Sequence, residues 1–156
     1  CPRNTGTGGV GIQGYWNIGI GTNALQDNTL GNSNVTIGEQ SLSNNTTGNG
    51  NLALGHNAFI FNFTVANHAI GYASLNLNTT GSNNVALGFL AMQTNSTSSN
   101  NIAIGTHAML SHKTNGYNIA IGEEALNRDT AGYDNIALGY RSLYYNLSYR
   151  NTIIEY

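Results

Sequence analysis

The sequence predicts an all-β chain wound as a parallel β-solenoid (a β-roll or β-helix), with coils of about 17 residues. Three observations predict it. First, a five-residue phrase, Asn-x-Ala-Ile/Leu-Gly, starts at Asn17, Asn34, Asn51, Asn67, Asn84, Asn101, Asn118 and Asn135, with a degenerate ninth start at Asn151. The intervals between starts are 17, 17, 16, 17, 17, 17, 17 and 16 residues. Second, apolar residues inside the phrase alternate with the period of a strand. Third, glycine and an Asn-Thr-Thr-Gly turn recur at fixed phase after it. A short fixed period means that each repeat is one coil, too small to bury a core alone and stable only against its neighbours.

Counting the initial Asn as position one, position two is Ile18, Val35, Leu52, His68, Val85, Ile102, Ile119 and Ile136, and position four is Ile20, Ile37, Leu54, Ile70, Leu87, Ile104, Ile121 and Leu138. One residue separates them, so they share a strand face, and the expectation is that this face points into the coil. Position three, between them, is then expected to point out. It is Gly19, Thr36, Ala53, Ala69, Ala86, Ala103, Ala120 and Ala137. A solvent-facing strand position would favour Thr, Lys or Glu, so the small alanines predict close approach by another chain. Ala53, Ala69, Ala86, Ala103, Ala120 and Ala137 are the expected assembly face.

Position five is glycine in all eight phrases and ends the strand at a corner. Positions eight and nine pair a small residue with a large apolar one, as in Ala24-Leu25 and Ala108-Met109, and predict a second short strand or edge. Positions twelve to fifteen carry the turn, as in Asn45-Thr46-Thr47-Gly48, and the two 16-residue coils are expected to lose their residue there. The Asn ladder at position one is expected to satisfy buried turn amides. Residues 1–16 lack the phrase and read as a degenerate first coil or cap, with residues 17–156 as the solenoid. Stacking at about 4.8 Å per coil gives a rod of roughly 40 Å.

Composition narrows the function. Charged residues make up 8% of the chain, and the net charge is -2. That leaves no electrostatic footprint for nucleic acid or an anionic membrane, and no apolar run reaches the roughly 18 residues of a membrane span. One cysteine, Cys1, permits no intrachain disulfide. It reads as a lipidated residue, a crosslink to another chain, or simply the edge of the fragment. No signal-peptide pattern opens the chain, which predicts a mature chain or an excised piece.

Phrases such as Asn118-Ile119-Ala120-Ile121-Gly122 and Asn135-Ile136-Ala137-Leu138-Gly139 resemble the head repeats of trimeric autotransporter adhesins. The full unit, Asn-x-Ala-Ile-Gly-x-x-Ala-Leu-x-x-Asn-Thr-Thr-Gly, is similar to arrays in bacterial and phage tail-fibre-type proteins. The resemblance covers about residues 17–156. It implies a β-roll and packing of several chains side by side. The adhesin repeat is shorter, so this chain has a longer outer turn, and the trimer does not carry over automatically. No coiled-coil stalk, membrane anchor or chaperone domain accompanies the repeats in this sequence.

Candidate chemistry is sparse. His56, His68, His107 and His112 fall at positions six, two, seven and twelve, so no histidine ladder is expected; they read as surface or turn residues. Glu123, Glu124, Asp129 and Asp134 lack a calcium-loop spacing. No nucleophile elbow or phosphate loop is present. The expectation is no catalysis, cofactor or metal. Sequons place possible glycosylation at Asn45, Asn62, Asn78, Asn95 and Asn146, in the turn at position twelve. Aromatic and large apolar residues suggest end or lateral contacts at Trp16, Phe59, Phe61, Phe63, Tyr144, Tyr145, Tyr149, Ile153, Ile154 and Tyr156. A Thr ladder for ice binding is interrupted by Phe63, Lys113 and Leu147. The functional expectation is an extracellular, cell-surface or virion-surface structural protein. It would form a fibre or filament with copies of itself, as a trimer or by end-to-end stacking. The alternative is an adhesin or phage-type receptor-binding module that touches host glycans or proteins, because the Phe59–Phe63 and Tyr-rich coils are atypical.

Overall fold

The computed structural model describes residues 14–61, 64–112, 116–129 and 131–155. Nine three-residue strands form one parallel sheet in chain order. They are β1 (Ile18–Ile20), β2 (Val35–Ile37), β3 (Leu52–Leu54), β4 (His68–Ile70), β5 (Val85–Leu87), β6 (Ile102–Ile104), β7 (Ile119–Ile121), β8 (Ile136–Leu138) and β9 (Thr152–Ile154). Register is in step throughout. Ala53 of β3 faces Ala69 of β4, which faces Ala86 of β5 and so on up the sheet. The predicted parallel β-solenoid is therefore the fold, and each coil pairs only with its neighbours.

The orientation of the strands reverses the expectation. Position three points inward: Ala53, Ala69, Ala103, Ala120 and Ala137 are fully buried and Ala86 nearly so, all within a single chain. Positions two and four point outward, with Ile37, Leu87, Ile102 and Ile121 exposed. These alanines are core, and they are not an assembly face. Strand alternation says only that position three opposes two and four; size decides which faces in. The coil is thin. Position three meets the large apolar residue of position nine across the interior, so that a methyl on Gly19 would stand 3.5 Å from Leu25 Cδ1. Leu25, Leu42, Phe59, Leu75, Met92, Met109 and Leu126 fill the space, leaving room for a methyl group opposite but not for an isoleucine. Where position three is Thr36, its hydroxyl pairs with that of Ser41 at position eight, so the interior stays satisfied. Phe59, expected as a lateral contact, belongs to this core at position nine.

Positions six to eleven form a second wall without a second strand. Positions seven and nine take left-handed backbone angles in each coil, as at Gln40 (φ 54°) and Leu42 (φ 51°), or Leu90 (φ 55°) and Met92 (φ 51°). Alternating left-handed residues turn the chain tightly, yet its amides still bond the next coil: Leu25 N donates to Ser41 O at 3.1 Å and Met92 N to Ala108 O at 3.0 Å. Such angles cost bulky residues about 1–2 kcal/mol each, and burial of the position-nine side chain offsets them. The position-five glycines are a sharper case. Gly88 has φ +142°, and a methyl there would lie 2.5 Å from the carbonyl oxygen of Gly105.

Two buried polar ladders hold the coils in register. At position one, Asn34 Oδ1 accepts from Asn51 N (2.9 Å) and Asn51 Nδ2 (3.0 Å), while Asn34 Nδ2 donates to Gly48 O (2.8 Å). The pattern recurs up to Asn151, whose backbone N donates to Asn135 Oδ1 at 3.0 Å. At position twelve, Asn45 Oδ1 accepts from Gly48 N (2.9 Å) and Asn78 Oδ1 from Gly81 N (3.1 Å), closing the outer turn from inside. The shorter coils absorb their deletion in that turn: Asn51 and Asn135 reach the carbonyls of Thr64 and Ser148, 13 residues on, where Asn34 and Asn84 reach 14 residues.

Candidate functional site

The exterior of the solenoid offers two surfaces of different character. The first is the outward face of the sheet. Positions two and four of β1 to β9 are Ile, Leu or Val except at His68 and Thr152. Their side chains are exposed or half-buried, from 37% exposure at Ile102 to 57% at Ile20 among those most open between β1 and β7. The pleat directs them outward because the small position-three residue has taken the interior, and the sheet lines them up at one strand spacing per coil. An aromatic row, stacked from His56 to Phe89 and edge-on at His107, runs along the corner beside this face. His56 and Tyr72 lie 5.3 Å apart, Tyr72 and Phe89 5.3 Å, and Phe89 and His107 5.6 Å. Glu39 Oε2 lies 3.8 Å from His56 Nε2 at one end of the row. Sequence phase did not predict it, because His107 enters from position seven while the others sit at position six.

The second surface lies on the turn wall of the last coils. Positions ten and eleven carry small or polar residues in several coils, such as Ser43-Asn44 and Gln93-Thr94, but Tyr144-Tyr145 here. The Arg141 guanidinium, at position seven, stands over the rings of Tyr140 (5.1 Å) and Tyr144 (5.5 Å). Arg128 stands over Tyr145 at 5.6 Å, one coil below it at the same position. The Tyr144 and Tyr145 rings meet edge to face, with centroids 4.6 Å apart. Arg141 also pairs with Glu124 from the coil below, and that hydrogen bond, followed by the Glu124 charge, raises the guanidinium pKa above its ordinary value. Arg141, Tyr144 and Tyr145 line an open cleft of about 420 Å³. In the outer turns of the same coils, Tyr133 and Tyr149 stack at 5.0 Å with their planes 8° apart.

The other sequence-level candidates fall as follows. Trp16, Phe61, Tyr145, Tyr149 and Ile154 are exposed, and Tyr144 and Ile153 are half-buried. Phe63 and Tyr156, together with Asn62, Cys1 and the first 13 residues of the expected cap, lie outside the described residues. The glycosylation expectation fails at four sites: Asn45, Asn78 and Asn95 are fully buried and Asn146 nearly so. Their carboxamides point inward into the ladder, so the turn is accessible while its Asn is not. His112, read as a surface or turn residue, stands at the start of the turn but is not on the surface. It occupies the Asn phase at position twelve, fully buried, with Nδ1 donating to Asp129 O (3.1 Å) and Asn118 Nδ2 donating to Nε2 (3.3 Å). Its phase was the signal that placed it inside. Asp129, in the same phase one coil on, accepts from Gly132 N at 2.6 Å. Among the described residues no group of three or more His, Cys, Asp or Glu side chains converges on a point where a metal ion would sit. No helix there is long and apolar enough to cross a membrane. In comparisons with known proteins, no family model, no curated protein and no solved structure matches the chain.

Proposed function

We propose that this chain is a structural module of an extracellular fibre, in which copies of the solenoid pack through the outward faces of their sheets. The observation that carries the reading is the aliphatic face of β1 to β9, half-exposed in every coil. Burying apolar surface releases roughly 25 cal/mol per Å², and a second copy presents the same residues at the same spacing, so the ridges of one sheet fit those of another. The sheet is nearly free of charge, which lowers the desolvation cost of such a contact. Low total charge supports a rigid surface structure rather than an electrostatically steered binder. The resemblance to adhesin heads and tail-fibre arrays supports the same setting.

The test is the mass of the purified chain by sedimentation and light scattering, with and without the triple substitution Ile37→Thr, Leu87→Thr, Ile121→Thr. Threonine keeps strand propensity and removes aliphatic surface only on the outside. The expected result is a defined oligomer or filament that falls to monomer in the variant with its circular dichroism unchanged. A wild-type chain that stays monomeric, or a variant that keeps its oligomeric mass, overturns the proposal.

A further inference from the structure

We infer that the cleft of Arg141, Tyr144 and Tyr145 binds a neutral saccharide. Its volume of about 420 Å³ falls in the range of about 300–1,000 Å³ usual for small-ligand sites. Folding does not require these residues. Other coils close with Gln26-Asp27, Ser43-Asn44 or Gln93-Thr94 at the same positions, bonded through the same backbone ladder. Tyr145 is 75% exposed even with Arg128 over its ring, so an aromatic surface is held out to solvent where a polar residue would suffice.

The arrangement selects a chemistry. A pyranose has an apolar face of C–H bonds and a rim of hydroxyls that both donate and accept. The phenol rings offer the complementary π surface. Arg141 brings a donor to the edge of that surface, and Glu124 holds the guanidinium from the coil below. Among the described residues the lining is Arg141, Tyr144 and Tyr145, with no aliphatic side chain, which disfavours a lipid or an apolar peptide. An anionic ligand is disfavoured as well. Glu123, Glu124, Asp134 and Glu155 outnumber Arg128, Arg141 and Arg150 on the exterior of these coils, and Arg141 and Arg150 each already face a carboxylate. The cleft runs from Arg141 at position seven to Tyr144 and Tyr145 at positions ten and eleven, and none of these three residues lies on a strand. The inference goes beyond the fibre reading and stands if that reading fails.

The test is saturation-transfer NMR on the whole chain with cellotetraose, maltotetraose and N,N′-diacetylchitobiose as probes. Tyr145→Ala and Arg141→Ala are compared with Tyr72→Ala, a ring in the aromatic row beside the sheet face, and each variant is checked by circular dichroism. The expected result is transfer to the ring C–H protons of at least one probe in wild type and in Tyr72→Ala, falling about fivefold or more in Tyr145→Ala and in Arg141→Ala. No transfer to any neutral probe, undiminished transfer in Tyr145→Ala, or transfer only to an acidic probe such as a heparin disaccharide overturns the inference. The same titration on the Ile37→Thr, Leu87→Thr, Ile121→Thr chain separates this outcome from that of self-association.

Discussion

The strand wall and the turn wall are made by the same repeats yet differ in what they leave variable. On the strand wall, the outward residues are aliphatic in nearly every coil. On the turn wall, positions ten and eleven run through Gln26-Asp27, Ile60-Phe61, Leu110-Ser111 and Tyr144-Tyr145. Neither set belongs to the hydrophobic core. One exterior therefore repeats a single demand coil after coil, as a surface covered along its whole length would, and the other is free to be specialised locally. The interior repeats on both walls, because the methyl group of one must fit the large side chain of the other.

Substitutions that break this comparison span a range of effects. The largest is expected at Gly88→Ala, where φ +142° and the carbonyl oxygen of Gly105 at 2.5 Å leave no room; the loss is about 3 kcal/mol or more, read by thermal melting. Gly50→Ala sharpens the point: Gly50 has φ +64° with nothing within 4 Å of the new methyl, so it should cost only about 1 kcal/mol. Equal losses would show that backbone angle, and not stacking distance, governs the glycines. Asn101→Ala removes the acceptor of Asn118 N and Nδ2, 3.0 and 3.1 Å away, inside the core, for about 2–3 kcal/mol. Ala103→Leu forces volume into the interior for about 1–3 kcal/mol. Ile104→Thr, its outward neighbour, should cost a dilute chain less than that in a urea titration, and the reverse order would invert the assignment of inside and outside. Gln26→Ser on the turn wall should stay within about 0.5 kcal/mol.

The legible part of the fold was whatever periodicity determines: the coil length, the parallel register, the Asn ladder at position one and the turn that absorbs each deletion. The illegible part was whatever two arrangements satisfy equally. Alternation at Ile102-Ala103-Ile104 fits either polarity, and only the thickness of the coil, set by Met92, Met109 and Leu126 on the other wall, resolves it. The same ambiguity misplaced the sequons, since Asn at position twelve serves a turn and an interior ladder alike. The left-handed angles at Leu42 and Met92 have no signature in residue type, because leucine and methionine do not favour them. Phe59 and His112 were readable in hindsight from phase alone: each stands where its counterparts in other coils are buried. The Tyr-Arg cluster was visible as composition, but the pairing of Arg128 with Tyr145 across adjacent coils needed the fold.

The in-step register of the sheet makes the solenoid a ruler. Excising residues 84–100 would bring Asn101 directly after Asn83, and β4 would meet β6 through the same contacts it now makes with β5, His68 facing Ile102 in place of Val85. The rod would shorten by one graduation of about 4.8 Å, with both walls still aligned and both ends unaltered. Length in such a molecule is a quantity that duplication or loss of a single coil can reset, independently of whatever is carried at the tip.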